Sequence, residues 1–87
     1  MKKALKKMWE MQAFLAERGI AAHVNTTTVK REDGDLHACE IAVFGPAKGE
    51  IISVSWANYR AEEFDNAWTQ FERQVSDRFF GWWEEAE

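Results

Sequence analysis

Apolar residues recur at two different periods along this chain, and the places where the period changes mark its elements. Leu5, Met8, Trp9, Gln12, Leu15 and Ala16 follow steps of three and four, which predicts a helix from about Lys2 to Arg18. Gly19 sits where a helix commonly stops in a left-handed residue, and Ile20 just beyond it is placed to fold back on Leu15 or Ala16. From Ile20 to Glu32 the residues become β-branched and alternate, which predicts a strand. Asp33 and Gly34 then give the strongest short hairpin signal in the chain, and a tight turn there would pair Val24 with Val43, Thr26 with Ile41 and Thr28 with Cys39. In that pairing Val24, Ile41 and Val43 share one face of the sheet, while Asn25, Thr27 and Glu40 fall on the other.

Gly45, Pro46, Ala47, Lys48 and Gly49 predict a second turn, and Ile51 to Trp56 a third strand with Ile52, Val54 and Trp56 facing inward if Phe44 lies opposite Ile51. Asn58 is a good cap for a second helix that reads through to Glu87, with Glu62 and Glu63 in its first turns, where the helix dipole favours acids. Phe64, Trp68, Phe71, Val75, Phe79 and Trp82 stack into one stripe of that helix, the stripe expected in the core. Phe80 falls roughly 160° from Phe64 on the helical wheel and Trp83 roughly 100° from it, so these two rings ask for another partner.

The fold class expected is therefore α+β, a single domain over residues 1–87 in the order helix, three-stranded antiparallel meander, helix. A meander reverses direction twice, so both helices run back over one face, side by side and parallel. That arrangement brings Lys2, Lys3, Lys6 and Lys7 of the first helix to the start of the second, beside Glu62, Glu63 and Asp65. The other face displays small and polar residues such as Asn25, Thr27, Ser53 and Ser55, with Phe44 and Ile51 making one apolar spot. The order of elements is similar to that of double-stranded RNA-binding domains. Those domains grip phosphates with lysines at the start of their second helix, where this chain has Glu62, Glu63 and Asp65, so the similarity is one of architecture and implies no shared function.

Charge and composition narrow the chemistry. The net charge of −4 disfavours nucleic acid as a partner, and it divides unevenly, with an excess of +3 over residues 1–18 and of −5 over residues 58–87. The lysine cluster Lys2, Lys3, Lys6 and Lys7 is the one feature that would serve a nucleic-acid-binding module. Cys39 is the only cysteine, which excludes an intrachain disulfide and makes a cytoplasmic setting the default. Lys6, Lys7, Glu10 and Gln12 interrupt any signal-peptide core at the start, and no stretch is apolar enough to span a membrane.

No catalytic residue, metal ligand or cofactor is expected. His37 and Cys39 share a side of the second strand, but two ligands do not close a zinc site, and nothing in their spacing implies a pocket around a nucleophile. No glycine-rich phosphate loop is present. The aromatic and acidic second helix carries the functional expectation. Phe80, Trp82 and Trp83 at its end have the composition of an interface anchor, rimmed by acids, and Glu62, Glu63, Asp65, Glu72 and Asp77 run along the helix. The expected function is that of a non-enzymatic protein-binding module, an inhibitor of a nucleic-acid-handling machine of the phage anti-defence or anti-CRISPR type, whose acids would occupy a basic groove. The alternatives are a nucleic-acid-binding module using Lys2, Lys3, Lys6 and Lys7, and a self-associating structural subunit joined through Phe80, Trp82 and Trp83, with a second copy of the chain as partner.

Overall fold

A computed structural model describes residues 1–79, in the order α1 (Lys2–Ala16), β1 (Ala22–Val29), β2 (Leu36–Phe44), β3 (Ile51–Ala57), a 3-10 segment (Asn58–Glu63) and α2 (Phe64–Arg78). The three strands form one antiparallel sheet in the order β1-β2-β3. Both helices lie against one face, α1 over β1 and β2 and α2 over β3. The α+β architecture legible in the sequence is the one the chain adopts.

α2 buries the stripe that its spacing predicts, whereas α1 is rotated from the expected positions: Met8 and Leu15 are buried as expected, but Ala4 and Met11 complete the buried face while Trp9 is 50% exposed and Ala16 exposed. Ala4, Met8, Met11 and Leu15 of α1 and Phe64, Trp68, Phe71 and Val75 of α2 meet Val24, Cys39, Ile41, Val43, Ile52 and Val54 of the sheet in one core. Phe79 packs partly against it. Trp82, the last member of the predicted stripe, lies outside the described residues, as do Phe80 and Trp83.

α1 ends as the sequence suggests. Gly19 takes φ +74°, its N–H donates to the Ala16 carbonyl at 3.0 Å, and the Ile20 N–H donates to the Leu15 carbonyl at 3.0 Å. This pair of bonds satisfies carbonyls that the last turn leaves open, and it folds Ile20 back onto the core.

The first hairpin differs from the expected one by two residues. Ala22 pairs with Val43, Val24 with Ile41 and Thr26 with Cys39, and the last pair is Val29 with Leu36. Residues 30–35 therefore form an open loop, closed by a turn in which the Gly34 N–H donates to the Arg31 carbonyl at 3.3 Å. A shift of two residues leaves every side chain on its expected face, because strand faces alternate with period two. The second hairpin has the expected register, with Phe44 opposite Ile51.

The start of α2 also differs. Asn58 caps no helix: its Oδ1 accepts the His37 N–H at 3.2 Å and its Nδ2 donates to the Asp35 carbonyl at 2.9 Å. The side chain thus ties the end of β3 to the entry of β2. The chain then swings onto the sheet through the six-residue 3-10 segment, with a kink at Arg60 (φ −144°, ψ 37°), and α2 begins at Phe64. Glu62 and Glu63 precede the helix, and Asp65 is the one acid in its first turn.

Candidate protein-docking groove between the helices

The two helices flank a furrow. Its floor is Met11 and Trp68, both buried, with Phe14 half-exposed at one side. Met11 and Phe14 are three residues apart on α1, and Asp65, Trp68, Thr69 and Glu72 recur at threes and fours on α2, so each helix turns one flank to the same space. The groove has a volume of about 550 Å³, within the range of sites that hold ligands or side chains of a partner. Trp68 is flanked by two rings, 5.7 Å from the centroid of Phe64 and 5.2 Å from that of Phe71, which pack it into the floor.

The rim is charged. Glu10, Asp65 and Glu72 present three carboxylates and Lys7 one ammonium. Lys7 Nζ lies 4.0 Å from Asp65 Oδ1 and 5.9 Å from the centre of the Phe64 ring, which places the start of α1 beside the start of α2 as the meander requires. Beyond that pair the furrow continues into a second hollow of about 490 Å³ beneath the first turn of α1, against Trp56, Ala61 and Phe64. At the other end the Arg18 guanidinium stacks 3.5 Å from the centre of the Phe14 ring and donates to the Phe14 carbonyl at 2.9 Å.

The acids named from the sequence do not form one row. Asp65 and Glu72, seven residues apart, both face the groove. Glu63 lines a smaller polar trough of about 260 Å³ on the other side of α2, along β3, with Arg60, Gln70 and Gln74. Asp77 is exposed and lies roughly 140° around the helix from Glu72. Glu62 is exposed on the 3-10 segment. The acids named along the second helix are thus distributed over several sides, and of them Asp65 and Glu72 border the groove. Glu10, Met11 and Phe14, which complete the site, were not singled out in the sequence. Their signal was the offset of Phe14 from the buried α1 stripe.

The lysines of α1 are all exposed. Lys6 faces Glu10 at 3.9 Å and Lys7 faces Asp65, so half of the cluster is already beside carboxylates within the chain. Phe80, Trp82 and Trp83 lie outside the described residues. On the uncovered side of the sheet, Phe44 and Ile51 are 50% and 58% exposed and directly opposite one another, the apolar spot expected there.

Among the described residues no group of three or more His, Cys, Asp and Glu side chains is arranged to hold a metal ion. Cys39 is buried on the inner face, and burial pushes its thiol above the ordinary value against smaller opposing effects from the N-terminal charge and a backbone hydrogen bond at Trp56. A reactive cysteine has the opposite shift. His37 Nδ1 sits 3.3 Å from Thr28 Oγ1 at the strand end. No described helix is long and apolar enough to cross a membrane. Searches against protein-family models, curated proteins and solved structures find no match to this chain.

Proposed function

We propose that this chain is a non-enzymatic protein-binding module that receives a basic, amphipathic helix of another protein in the groove between α1 and α2. The observation that carries this reading is the combination of an apolar floor, Met11, Phe14 and Trp68, with the carboxylates of Glu10, Asp65 and Glu72 on its rim. Each flanking helix has 15 residues and is roughly 22 Å long, enough to accompany about four turns of a partner helix laid between them. The carboxylates would meet lysines or arginines at the partner's polar margin and fix its register and direction. Basic helices of this composition are common in proteins that handle nucleic acid, and occupying one would keep it from phosphate. An inhibitor of a nucleic-acid-handling machine, working in the cytoplasm, is the specific form of the proposal. Cys39 is not placed to act as a nucleophile in this reading, since its side chain is buried in the core, where burial pushes the thiol above its ordinary value.

A synthetic helix of alternating lysine and leucine faces tests this directly, titrated into the protein while tryptophan fluorescence is followed. A scrambled peptide of equal charge serves as control. Micromolar binding of the amphipathic peptide, weakened at least tenfold by Glu72→Lys and absent with the scrambled peptide, is the expected result. Equal binding of the two peptides, or binding indifferent to Glu72→Lys and Phe14→Ser, would overturn it.

A further inference from the structure

We infer that two copies of this chain pair antiparallel through the open edge of β1, joining their sheets into one. The direction of the β1 peptide groups is fixed by two bonds. The Phe44 N–H donates to the Ala21 carbonyl at 3.0 Å, so in the antiparallel ladder the odd-numbered residues of β1 aim at β2 and Ala22, Val24, Thr26 and Thr28 aim away from it. Consistently, the Ala22 carbonyl is taken from the open side by Gln12 Nε2 at 3.0 Å. Beyond Ala22 that device stops. Among the described residues no donor or acceptor reaches the outward peptide groups of Val24, Thr26 and Thr28.

Edge strands are normally protected by lysine, proline, a bulge or a covering segment. β1, Ala22–Val29, has none of these among its own residues: it pairs without a bulge and carries no Lys, Arg, Asp or Glu. The chain as a whole is at −4, so a second copy approaches with less repulsion along an uncharged edge, and β1 is such an edge. By contrast Arg60 leans over the edge of β3, where its Nη2 lies 3.4 Å from Ser55 Oγ.

Self-complementarity selects a second copy over an unrelated peptide. A two-fold axis at Thr26 pairs Thr26 with its counterpart and Val24 with the other chain's Thr28, which satisfies every outward peptide group of those residues in both copies. Threonine pairs across strands are favourable in such ladders. The apolar area comes from α1. Leu5, Trp9, Gln12 and Ala16 lie on one side of that helix by spacing, and Gln12 shows that this side overhangs the β1 edge. Trp9 there is 50% exposed, and Leu5 is half-buried beside it. In the pair the two α1 helices would approach across the junction and cover Trp9 and Leu5. The groove of the proposed function uses the opposite flank of α1, so the two surfaces are independent and a dimer would present two grooves on one face.

Sedimentation across the micromolar range tests the pairing. The wild type should reach twice the chain mass. Thr26→Pro deletes an outward N–H that makes no bond within the chain, and Thr26→Lys places like charges across the axis without touching the backbone. Each should raise the dissociation constant at least tenfold with the circular-dichroism spectrum unchanged. Ser53→Pro, at an outward position of β3, and Trp83→Ala should remain dimeric. A wild type that stays monomeric throughout, a dimer that survives Thr26→Lys, or one that Trp83→Ala alone dissociates would overturn the inference.

Discussion

Arg78 and Glu50 form a two-pronged ion pair that fastens the end of α2 to the turn between β2 and β3, with Arg78 Nε 2.5 Å from Glu50 Oε2 and Nη2 2.7 Å from Oε1. Glu50 is the better covered of the two, its side chain 22% exposed against 48% for Arg78, and its Oε1 also accepts the Ala47 N–H at 3.2 Å. One carboxylate therefore holds its own turn and the helix above it. The planar fork of arginine suits this role, because it fills both oxygens at once.

The pair makes stability depend on acid. Hydrogen bonding to Arg78, aided by the Ala47 N–H and the charge of Arg78 against a smaller opposing effect of desolvation, holds the Glu50 carboxyl below its ordinary value. A carboxyl depressed in the folded state binds its proton more readily when unfolded, so its contribution is complete above the unfolded value, about 4.3 for Glu. It fades as pH falls through the lower folded value. Thermal melts of wild type and Glu50→Gln should differ by a constant amount above about pH 5 and converge in stronger acid. A difference that persists unchanged in acid would show that Glu50 acts through shape alone.

Asn58 gives a test that separates a cap from a tie. Serine and aspartate serve as well as asparagine at a helix cap, but aspartate has no donor for the Asp35 carbonyl, and serine has one short hydroxyl in place of the two separate amide atoms that reach Asp35 and His37. Asn58→Ser should therefore destabilise the domain by about 1 to 2 kcal/mol in urea titration, nearly as much as Asn58→Ala. Retention of full stability by the serine variant would return Asn58 to the role of a cap.

What the sequence could reveal followed the range of the signal that carried it. Faces of helices and strands depend on spacing within one element, and the buried positions of α2 and the sheet came out as the spacing indicated, while α1, whose two candidate apolar flanks overlap in sequence, buries Ala4 and Met11 in place of Trp9 and Ala16. The register of the first hairpin depends on how many residues the loop absorbs, and Asp33 with Gly34 cannot fix that when the actual turn runs from Arg31 to Gly34. Asn58 is ambiguous for a like reason: an amide before a helical stretch suits a cap, and only the fold brings Asp35 and His37 within its reach. The acids of the second helix looked continuous because a sequence shows charge without direction. Asp65 and Glu72 meet Glu10 and Phe14 only because α1 lies alongside.

The contrast between the two sides of the sheet should appear in stability. Phe71 is 2% exposed and stacks with Trp68, so Phe71→Ala should cost about 3 to 5 kcal/mol. A domain of this length holds only about 4 to 13 kcal/mol in total, which leaves the variant close to unfolding. Phe44→Ala, on the uncovered face, should change stability by about 0.5 kcal/mol or less. Urea titrations at neutral pH measure both, and a large loss at Phe44 would mean that its face is covered in solution.

Gly45 supplies the last prediction, because it makes room for the Glu50 side chain. A Cβ built there would lie 2.6 Å from Glu50 Cδ and 2.7 Å from its Cγ, too close for either to stay in place. Glu50 is not an idle flexible chain that can swing aside, since Arg78 and the Ala47 N–H hold its carboxylate. Gly45→Ala should thus act through the ion pair, displacing Glu50 and releasing the end of α2. Two neighbours that share one interaction give non-additive losses, and a double-mutant cycle measures this. With Glu50→Ala already in place the clash is gone and Arg78 has no carboxylate to lose, so adding Gly45→Ala should have little further effect. Full additivity of the two substitutions would show that Gly45 is required for the backbone of the turn itself and not for the side chain folded against it.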